Sequence, residues 1–246
     1  MKILVCISKV PDTTAKISFT DGDTKFNEAG VQFIINPYDE WYALVRGLEL
    51  KEANNGTVTT ISVGGPDYDP IIRKALAIGA DAAVRIDAQP TDSYQVASEI
   101  ANYAKDNAYD MVLCGKETID YNGSQVGGMI AELMDLPYVS LAVKLDVNGT
   151  VTTIERDVQG GTEVVEVSGA FVLSASKGMA EQRIPNMRGI MQARTKPLTV
   201  VPASGSSTMT EVVSYELPPA KTACKMVDAE DMDELISLLH NEAKVI

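Results

Sequence analysis

Short apolar segments that alternate with helical segments are the feature that most constrains how this chain can fold. Four such segments, rich in apolar and β-branched residues, occupy positions 2–8, 57–65, 82–87 and 109–114. Runs of this length are typical of strands buried on both faces of a parallel sheet. The regular alternation predicts an α/β fold with a doubly wound, mainly parallel sheet, a Rossmann-like nucleotide-binding fold.

The helical segments carry their own start and stop signals. Asn36 is predicted to cap the first helix, with Pro37 in its first turn, and Gly79 is predicted to end the second. Thr91 or Asp92 is predicted to open the third. The buried face of the first helix follows the spacing i, i+3, i+4, i+7 at Trp41, Leu44, Val45 and Leu48.

The pattern changes near residue 138. Residues 138–168 alternate with a period of two and contain turn signals at Asn148-Gly149 and Gly160-Gly161, which predicts an antiparallel hairpin extension. Residues 169–176 return to a buried strand. We therefore expect a nucleotide-binding domain over residues 1–202 and a C-terminal linker and arm over residues 203–246. The arm has too few apolar residues to fold alone, so we expect it to pack on a partner subunit.

Charge and composition exclude several classes of function. The net charge of −13, with 34 acidic and 21 basic residues, disfavours a nucleic-acid partner. The apolar runs are too short for membrane insertion, and without a secretory signal we expect a cytoplasmic protein. The cysteines Cys6, Cys114 and Cys224 and the single histidine His240 are far apart, so we expect reduced thiols and no metal site.

A glycine-rich stretch, CGKETIDYNGSQVGG at residues 114–128, follows the fourth strand. If the core strand order is 3-2-1-4-5, this stretch borders the crevice where ligands bind in open parallel sheets. The backbone N–H groups of a helix starting near Ser124, Gln125 and Val126 would then face a phosphate. An ordinary strand–helix turn explains the glycines equally well. No catalytic residue is indicated, and neither dinucleotide-binding nor P-loop glycine spacing is present.

A second unusual stretch occupies residues 183–196. It has four basic residues and no acidic one, and it also contains the apolar residues Ile184, Met187, Ile190 and Met191. In so acidic a chain, this composition indicates a contact surface for an acidic partner. A solvated loop whose methionines cover the edge of the core is an equal alternative.

Several motifs together resemble the β subunit of electron transfer flavoprotein. They are KILVCISKVPDTTAKI, IINPYDE, ALAIGAD, CGKETIDYNGSQVGGMIAELMDLPYVS, IERDVQGGTEVVEV, PNMRGIMQARTKPL and KTACKMV, in the family's order from residue 1 to about 226. The resemblance implies a non-enzymatic electron carrier that forms a heterodimer with an FAD-bearing α subunit. It also implies an AMP held in this subunit, or a second FAD in its place in flavin-bifurcating members, which share the motif VPDTT.

The resemblance assigns roles to individual residues. The adenine and ribose pocket would involve Cys6, Asn36, Pro37, Tyr38, Asp39 and Gly64, and the phosphate would lie on Gly115, Thr118, Tyr121, Asn122, Gly123, Ser124, Gln125 and Val126. Thr13 and Thr14 would approach the FAD of the α subunit, and Asp157 would orient its flavin domain. The partner dehydrogenase would contact Arg183, Met187, Arg188, Ile190 and Met191, with Met187 as the inserted anchor.

As a member of that family, the chain would shuttle electrons from acyl-CoA or related dehydrogenases, as in fatty acid oxidation, to a quinone reductase. Two alternatives stay open: a flavin-bifurcating subunit that takes electrons from NADH, and a free-standing nucleotide-sensing module of the same fold. An ATP-splitting ligase is disfavoured, because no S-G-G-x-D-S loop follows the first strand.

Overall fold

The computed structural model describes residues 1–221 and 223–246, and Thr222, within the predicted arm, lies outside the described residues. The strands in chain order are β1 (Lys2–Cys6), β2 (Lys9–Pro11), β3 (Phe19–Thr20), β4 (Lys25–Phe26), β5 (Phe33–Ile35), β6 (Thr57–Val63), β7 (Ala82–Asp87), β8 (Met111–Gly115), β9 (Tyr138–Asn148), β10 (Val151–Val158), β11 (Gly161–Ser168), β12 (Phe171–Ala175) and β13 (Leu198–Pro202). The helices are α1 (Asp39–Asn54), α2 (Asp69–Ile78), α3 (Ser93–Asn107), α4 (Val126–Met134), α5 (Met187–Ala193) and α6 (Met232–Ser237).

The main sheet has the strand order β11-β10-β9-β12-β8-β1-β6-β7-β13. β1 pairs in parallel with both β6 and β8, and β12 pairs in parallel with β8. The core of the sheet therefore has the order third, second, first, fourth, fifth, which is the order assumed in locating the crevice, and the α/β fold class is confirmed. From β1 the chain runs to β6 and β7 on one side of β1, and then returns to β8 and β12 on the other side. The point at which the strand order reverses, the switch point, therefore lies between β1 and β8.

Both edges of the sheet extend beyond this core. β9 is parallel to β12, and β10 pairs antiparallel with β9 and β11, which confirms the predicted hairpin extension. The sequence analysis places no strand at Leu198–Pro202, but the structure has β13 there, in parallel pairing with β7. As an edge strand with half-exposed side chains, β13 lacks the continuous apolar run that marks the buried strands.

Helices cover both faces of the sheet, and β1 shows how its residues are divided between them. Ile3 and Val5 belong to the apolar cluster that includes the buried residues of α1 and α2. Leu4 and Cys6 belong to the cluster that includes those of α3 and α4. Successive side chains of a strand point to opposite faces, so a fully buried strand must be apolar throughout.

The helix boundaries confirm two predictions and correct one. Asp92 caps α3 by accepting from the backbone N–H of Gln95, and α2 ends at Gly79. α1, however, begins after Tyr38, without a capping side chain. The predicted cap Asn36 is wrong, because its buried amide bonds instead to the segment that follows β8. The predicted face of α1 is buried at Leu44, Val45 and Leu48, whereas Trp41 is half-buried.

The chain divides into two compact units, Met1–Ser214 and Tyr215–Ile246. In the second unit, α6 continues into a π-helical turn at Leu238–Ala243, and apolar side chains such as Met226 and Ile236 are exposed. The predicted division of the chain after residue 202 stays a prediction. Within the described residues, no helix is both long and apolar enough to cross a membrane.

Two carboxylates of α3 hold the segment that leaves β13. Glu99 accepts from the backbone N–H groups of Ser204 and Ser206, at 2.7 and 3.0 Å. Asp92 accepts from those of Met209 and Thr210, at 2.5 and 2.8 Å. Burial alone would raise the pKa of each carboxyl, but these donors outweigh it and each pKa lies below its ordinary value. The Ser/Thr-rich stretch is thus bound to α3 along this length.

Replacing Glu99 with Ala should detach residues 203–210 from α3. The two N–H donors lose their acceptor, so we expect a loss of about 1–3 kcal/mol in the free energy of unfolding. Urea denaturation measures that loss, and limited proteolysis should show faster cleavage within the segment. Glu132→Ala, which removes an exposed carboxylate from α4, is the matched control. Because the pKa values are depressed, the attachment should be present above pH 4.5, the ordinary value for Glu99, and weaken as the pH falls. Equal cleavage in Glu99→Ala and the wild type would contradict this account.

Two of the three thiols lie inside the protein. Cys6 on β1 and Cys114 on β8 are buried with their Sγ atoms 3.6 Å apart, whereas Cys224 is exposed. The hydrogen bond from Cys114 and then burial raise the pKa of the Cys6 thiol well above its ordinary value. A thiol held protonated in this way is a poor nucleophile.

We therefore expect a disulfide reagent to titrate one thiol rapidly in the native protein and all three in denaturant. Cys224→Ser should abolish the rapid phase, since the buried pair reacts only after local opening. Absorbance of the released thiolate measures both phases. Rapid modification of two or three native thiols would show that Cys6 and Cys114 are accessible.

Candidate functional site

A crevice lies where β1 and β8 end and their chains separate. The end of β8 lies directly on the start of α1. A side chain at Gly115 would come within 2.7 Å of the Glu40 Cγ atom and 2.8 Å of the Glu40 backbone nitrogen. Only glycine permits this approach of two backbones. The floor of the crevice therefore consists of the Gly115 backbone and the first turn of α1.

Asn36 joins the two sides of this crevice. Its side chain donates to the Glu117 carbonyl oxygen at 2.8 Å and accepts from the Ile119 N–H at 3.1 Å. The amide is fully buried, so both bonds satisfy groups that water does not reach. The expected site residues Asn36 and Thr118 are thereby brought together, because Thr118 lies between the two bonded residues.

The loop from Tyr121 to Gln125 has an unusual backbone. Asn122 and Ser124 adopt φ values of 49° and 51°, in the left-handed region that side chains other than Asn and Gly rarely adopt. The Asn122 N–H donates to the Thr118 carbonyl oxygen, and the Ser124 hydroxyl donates to Glu117. Such strain is typical of segments that hold a ligand.

The N-terminus of α4 follows this loop without a capping side chain. Gln125 occupies the cap position and makes no side-chain hydrogen bond there. The N–H groups of the first turn carry the positive end of the helix dipole and bind anions well. Gly127 lies close to the Tyr138 ring, which a side chain there would meet at 3.1 Å, whereas a side chain at Gly128 would make ordinary contact with the same ring at 3.5 Å. This donor set fits a phosphate, as the sequence analysis expects for Ser124, Gln125 and Val126.

Gly64 follows the end of β6, the strand beside β1. Its carbonyl oxygen accepts from Arg85 Nη1 at 2.9 Å, and its N–H donates to the Ile86 carbonyl oxygen. A side chain at Gly64 would overlap the Tyr68 ring, which packs directly on this glycine. Burial, followed by the charges of Asp67 and other carboxylates, raises the pKa of Tyr68 to about 12. The Tyr68 hydroxyl therefore stays protonated.

Two acids at the start of α1 line the crevice, and the sequence analysis found only one of them. Asp39 was expected, but Glu40 and its partner Ser8 were not. Glu40 accepts from the Ser8 N–H at 2.7 Å and from the Ser8 hydroxyl at 2.6 Å. Burial raises the pKa of Glu40 to about 8 and also raises that of Asp39. An acid in the first turn of a helix usually serves the helix dipole, so the sequence carried no separate signal for Glu40.

The cationic stretch forms a short helix, α5, rather than the expected loop. Asn186 caps α5 by accepting from the Gly189 N–H at 2.8 Å. Gly189 lies so close to α2 that a side chain there would overlap the Ala77 carbonyl oxygen. Met187 and Met191 on the outer side are 74% and 68% exposed, so they do not cover the core.

The residues before α5 are attached to α1. Arg183 forms two hydrogen bonds with the Glu52 carboxylate, at 2.6 and 3.1 Å, and these raise the Arg183 pKa. The Trp41 indole N–H donates to the Arg183 carbonyl oxygen at 3.3 Å. Arg183 therefore positions the segment within this chain. Arg188 and Ile190, two other expected partner contacts, are exposed.

The remaining expected residues lie elsewhere. Asp157 is exposed near the end of β10, in the extension and separated from β8 by β9 and β12. The Thr14 N–H and hydroxyl both donate to Asp12, in an exposed turn that includes Thr13. Among the described residues, no cluster of three or more His, Cys, Asp or Glu side chains suits a metal ion.

Known proteins of one family are similar to this chain over most of its length. The family described as "Electron transfer flavoprotein domain" matches residues 23–206. The chain is 36% identical to the electron transfer flavoprotein subunit beta of Bacillus subtilis (strain 168), over 100% of both chains. It is 30% identical to Protein FixA of Azotobacter vinelandii, over 95% of this chain and 90% of that protein. It is also 31% identical to the acryloyl-CoA reductase electron transfer subunit gamma of Anaerotignum propionicum, over 82% and 77%. The family model covers most of the chain and these relatives are 30–36% identical to it, so the chain belongs to the β-subunit family of electron transfer flavoproteins.

Proposed function

We propose that this chain holds one AMP in the crevice between β1 and β8 and completes the FAD site of an α subunit. In the heterodimer it would carry electrons from acyl-CoA or related dehydrogenases to a quinone reductase. The observation that carries this proposal is the uncapped N-terminus of α4 at the switch point. It supplies backbone donors for a phosphate, and the flavin of the partner supplies the redox chemistry.

The two helices that start at the crevice favour a single phosphate over a diphosphate. α4 offers N–H groups and has no acid in its first turn. α1 begins with Asp39 and Glu40, whose carboxyls already occupy the positive end of its dipole. A second phosphate, as in FAD, would meet these acids. This asymmetry supports AMP as the ligand, with the pocket residues Cys6, Asn36–Asp39 and Gly64 around its nucleoside.

The exposed side of α5 suits the docking of a dehydrogenase. Met187, Ile190 and Met191 present apolar, adaptable side chains, and Arg188 adds a positive charge in an acidic chain. The helix is held from behind, because Arg73 donates to the Ala193 and Lys196 carbonyl oxygens. A backbone already held as a helix does not have to be ordered on binding, which reduces the entropic cost to that of the side chains.

Two other functions predict different contents of nucleotide. A flavin-bifurcating subunit would hold a second FAD in the crevice, and a free-standing nucleotide sensor would hold no flavin and form no complex. One relative is named as an electron transfer subunit of acryloyl-CoA reductase, so we include reductases among the possible partners.

The content of nucleotide in the purified complex tests the proposal directly. We expect one FAD and one AMP per heterodimer when the chain is co-purified with its α subunit, denatured and analysed by chromatography. Two FAD and no AMP would replace the proposal with bifurcation. A chain that binds neither an α subunit nor flavin would contradict it altogether.

Replacing Met187 with Asp should weaken docking of the dehydrogenase without changing the fold. A charge at the centre of an apolar contact is expected to lower kcat/KM for reduction by the dehydrogenase about tenfold or more, mainly through KM. Stopped-flow flavin absorbance measures this reaction. Val164→Asp adds the same charge at another exposed apolar side chain, 62% exposed on β11, and serves as the control.

Gly189→Ala tests whether the contact with α2 holds α5 in place. The added methyl group must push α5 away from Ala77, so both kcat/KM and thermal stability should fall, with an unfolding cost of about 1–3 kcal/mol. Met187→Asp should leave the melting temperature unchanged. Equal dehydrogenase kinetics in Met187→Asp and the wild type would place docking elsewhere.

A further inference from the structure

Glu40 is the buried acid that links the end of β1 to the first turn of α1. Both of its carboxyl oxygens contact Ser8: Oε2 accepts from the Ser8 N–H, and Oε1 lies 2.6 Å from the Ser8 hydroxyl. Its side chain also packs on the Gly115 backbone. Glu40 therefore touches both strands, β1 and β8, whose ends border the crevice.

The ionisable groups that act on Glu40 from the surrounding elements are acids. Asp39 precedes it on α1, and Asp120 lies in the loop that follows β8. The Cys6 thiol of β1 and the Tyr68 hydroxyl of the turn after β6 also interact electrostatically with Glu40. Burial, helped by the charges of Asp120 and Asp39, outweighs the Ser8 hydrogen bonds and raises the Glu40 pKa to about 8, so the carboxyl is largely neutral at pH 7.

The protonation state of Glu40 decides how the Ser8 hydroxyl is oriented. An ionised carboxylate only accepts, so the Ser8 hydroxyl must then donate its hydrogen to Oε1. A neutral carboxyl donates from Oε1 to Ser8 Oγ, while Oε2 still accepts from the Ser8 N–H. The Ser8 hydroxyl hydrogen is then available to another acceptor. Ser8 is partly exposed at the crevice, where such an acceptor can reach it.

We propose that Glu40 is a positioning residue of the nucleotide site. When the nucleotide is bound, Glu40 is protonated and turns the Ser8 hydroxyl toward it. This inference rests on the proposed function, because it requires an anionic nucleotide in the crevice. The phosphate at the start of α4 adds negative charge to the same crevice and so disfavours the Glu40 carboxylate, and binding takes up a proton from solution. The affinity for AMP then falls as the pH rises through the Glu40 titration.

Calorimetric titration of the nucleotide-depleted heterodimer with AMP tests this linkage. Between pH 7 and pH 9.5, where AMP keeps a constant charge, the wild-type affinity should fall about tenfold. Titrations at pH 8.5 in two buffers of different ionisation enthalpy should reveal the uptake of a fraction of a proton per AMP. A pH-independent affinity would overturn this inference alone, whereas no binding of AMP at any pH would contradict the proposed function itself.

Three variants distinguish the contribution of Glu40 to nucleotide binding from those of its neighbours. Glu40→Gln imitates the neutral carboxyl, so it should bind AMP at pH 9.5 as tightly as the wild type does at pH 7, without proton uptake. Asp120→Asn removes one of the charges that raise the Glu40 pKa, so it should move the loss of affinity to lower pH. Ser8→Ala should weaken binding at pH 7 more than at pH 9.5. Wild-type pH dependence in both Glu40→Gln and Asp120→Asn would overturn the inference, and circular dichroism confirms that each variant is folded.

Discussion

The parallel pairing of β1 with both β6 and β8 is the constraint on which the rest of the structure depends. It makes the chain leave the end of β1 toward one side of the sheet and the end of β8 toward the other, so the two connections diverge and a crevice opens. It also directs the start of α4 to that crevice and places the start of α1 on its floor. These two helix ends differ chemically, since one is uncapped and the other carries two acids. This asymmetry is the basis of the proposal that the crevice binds one phosphate rather than two.

Burying acids beside an anion site has an energetic cost, and the structure offsets it locally. Ser8 supplies two donors to Glu40, and Lys116 forms an ion pair with Glu117 at 2.8 Å. The raised pKa of Glu40, about 8, means that part of its negative charge is absent near neutral pH. An ionised pair would oppose a phosphate by Coulomb repulsion, which is strong where water is excluded. Protonation of a buried acid beside the proposed phosphate therefore costs less free energy than keeping it ionised, in a chain whose net charge is already −13.

How much of the fold and of the candidate site could be predicted from the sequence depends on whether the contacts that form them are local in sequence. Strand order, the hairpin extension and the caps of α2 and α3 follow from periodicity and from residues a few positions apart. The role of Asn36 does not, because its partners Glu117 and Ile119 lie more than 80 positions away. α5 is only seven residues long and contains Gly189, so its intrinsic helix propensity is low. It is helical because α2 supports it. Of the two crevice acids, Glu40 was missed because burial, not residue type, makes it unusual.

α1 connects the crevice with the segment that leads to α5. Its N-terminus carries Asp39 and Glu40, and farther along Trp41 and Glu52 hold Arg183. Gln182 donates to the Pro37 carbonyl oxygen at 3.1 Å, so the same segment is also attached just before α1. A nucleotide that binds only the folded state stabilises it by about 2.7 kcal/mol at 100 times its dissociation constant. Bound beside the first turn of α1, AMP would therefore stabilise the helix on which the docking segment is mounted. On the proposed function, a nucleotide without redox chemistry would thereby have a physical role in electron transfer, because it would keep the surface proposed to meet the dehydrogenase in place.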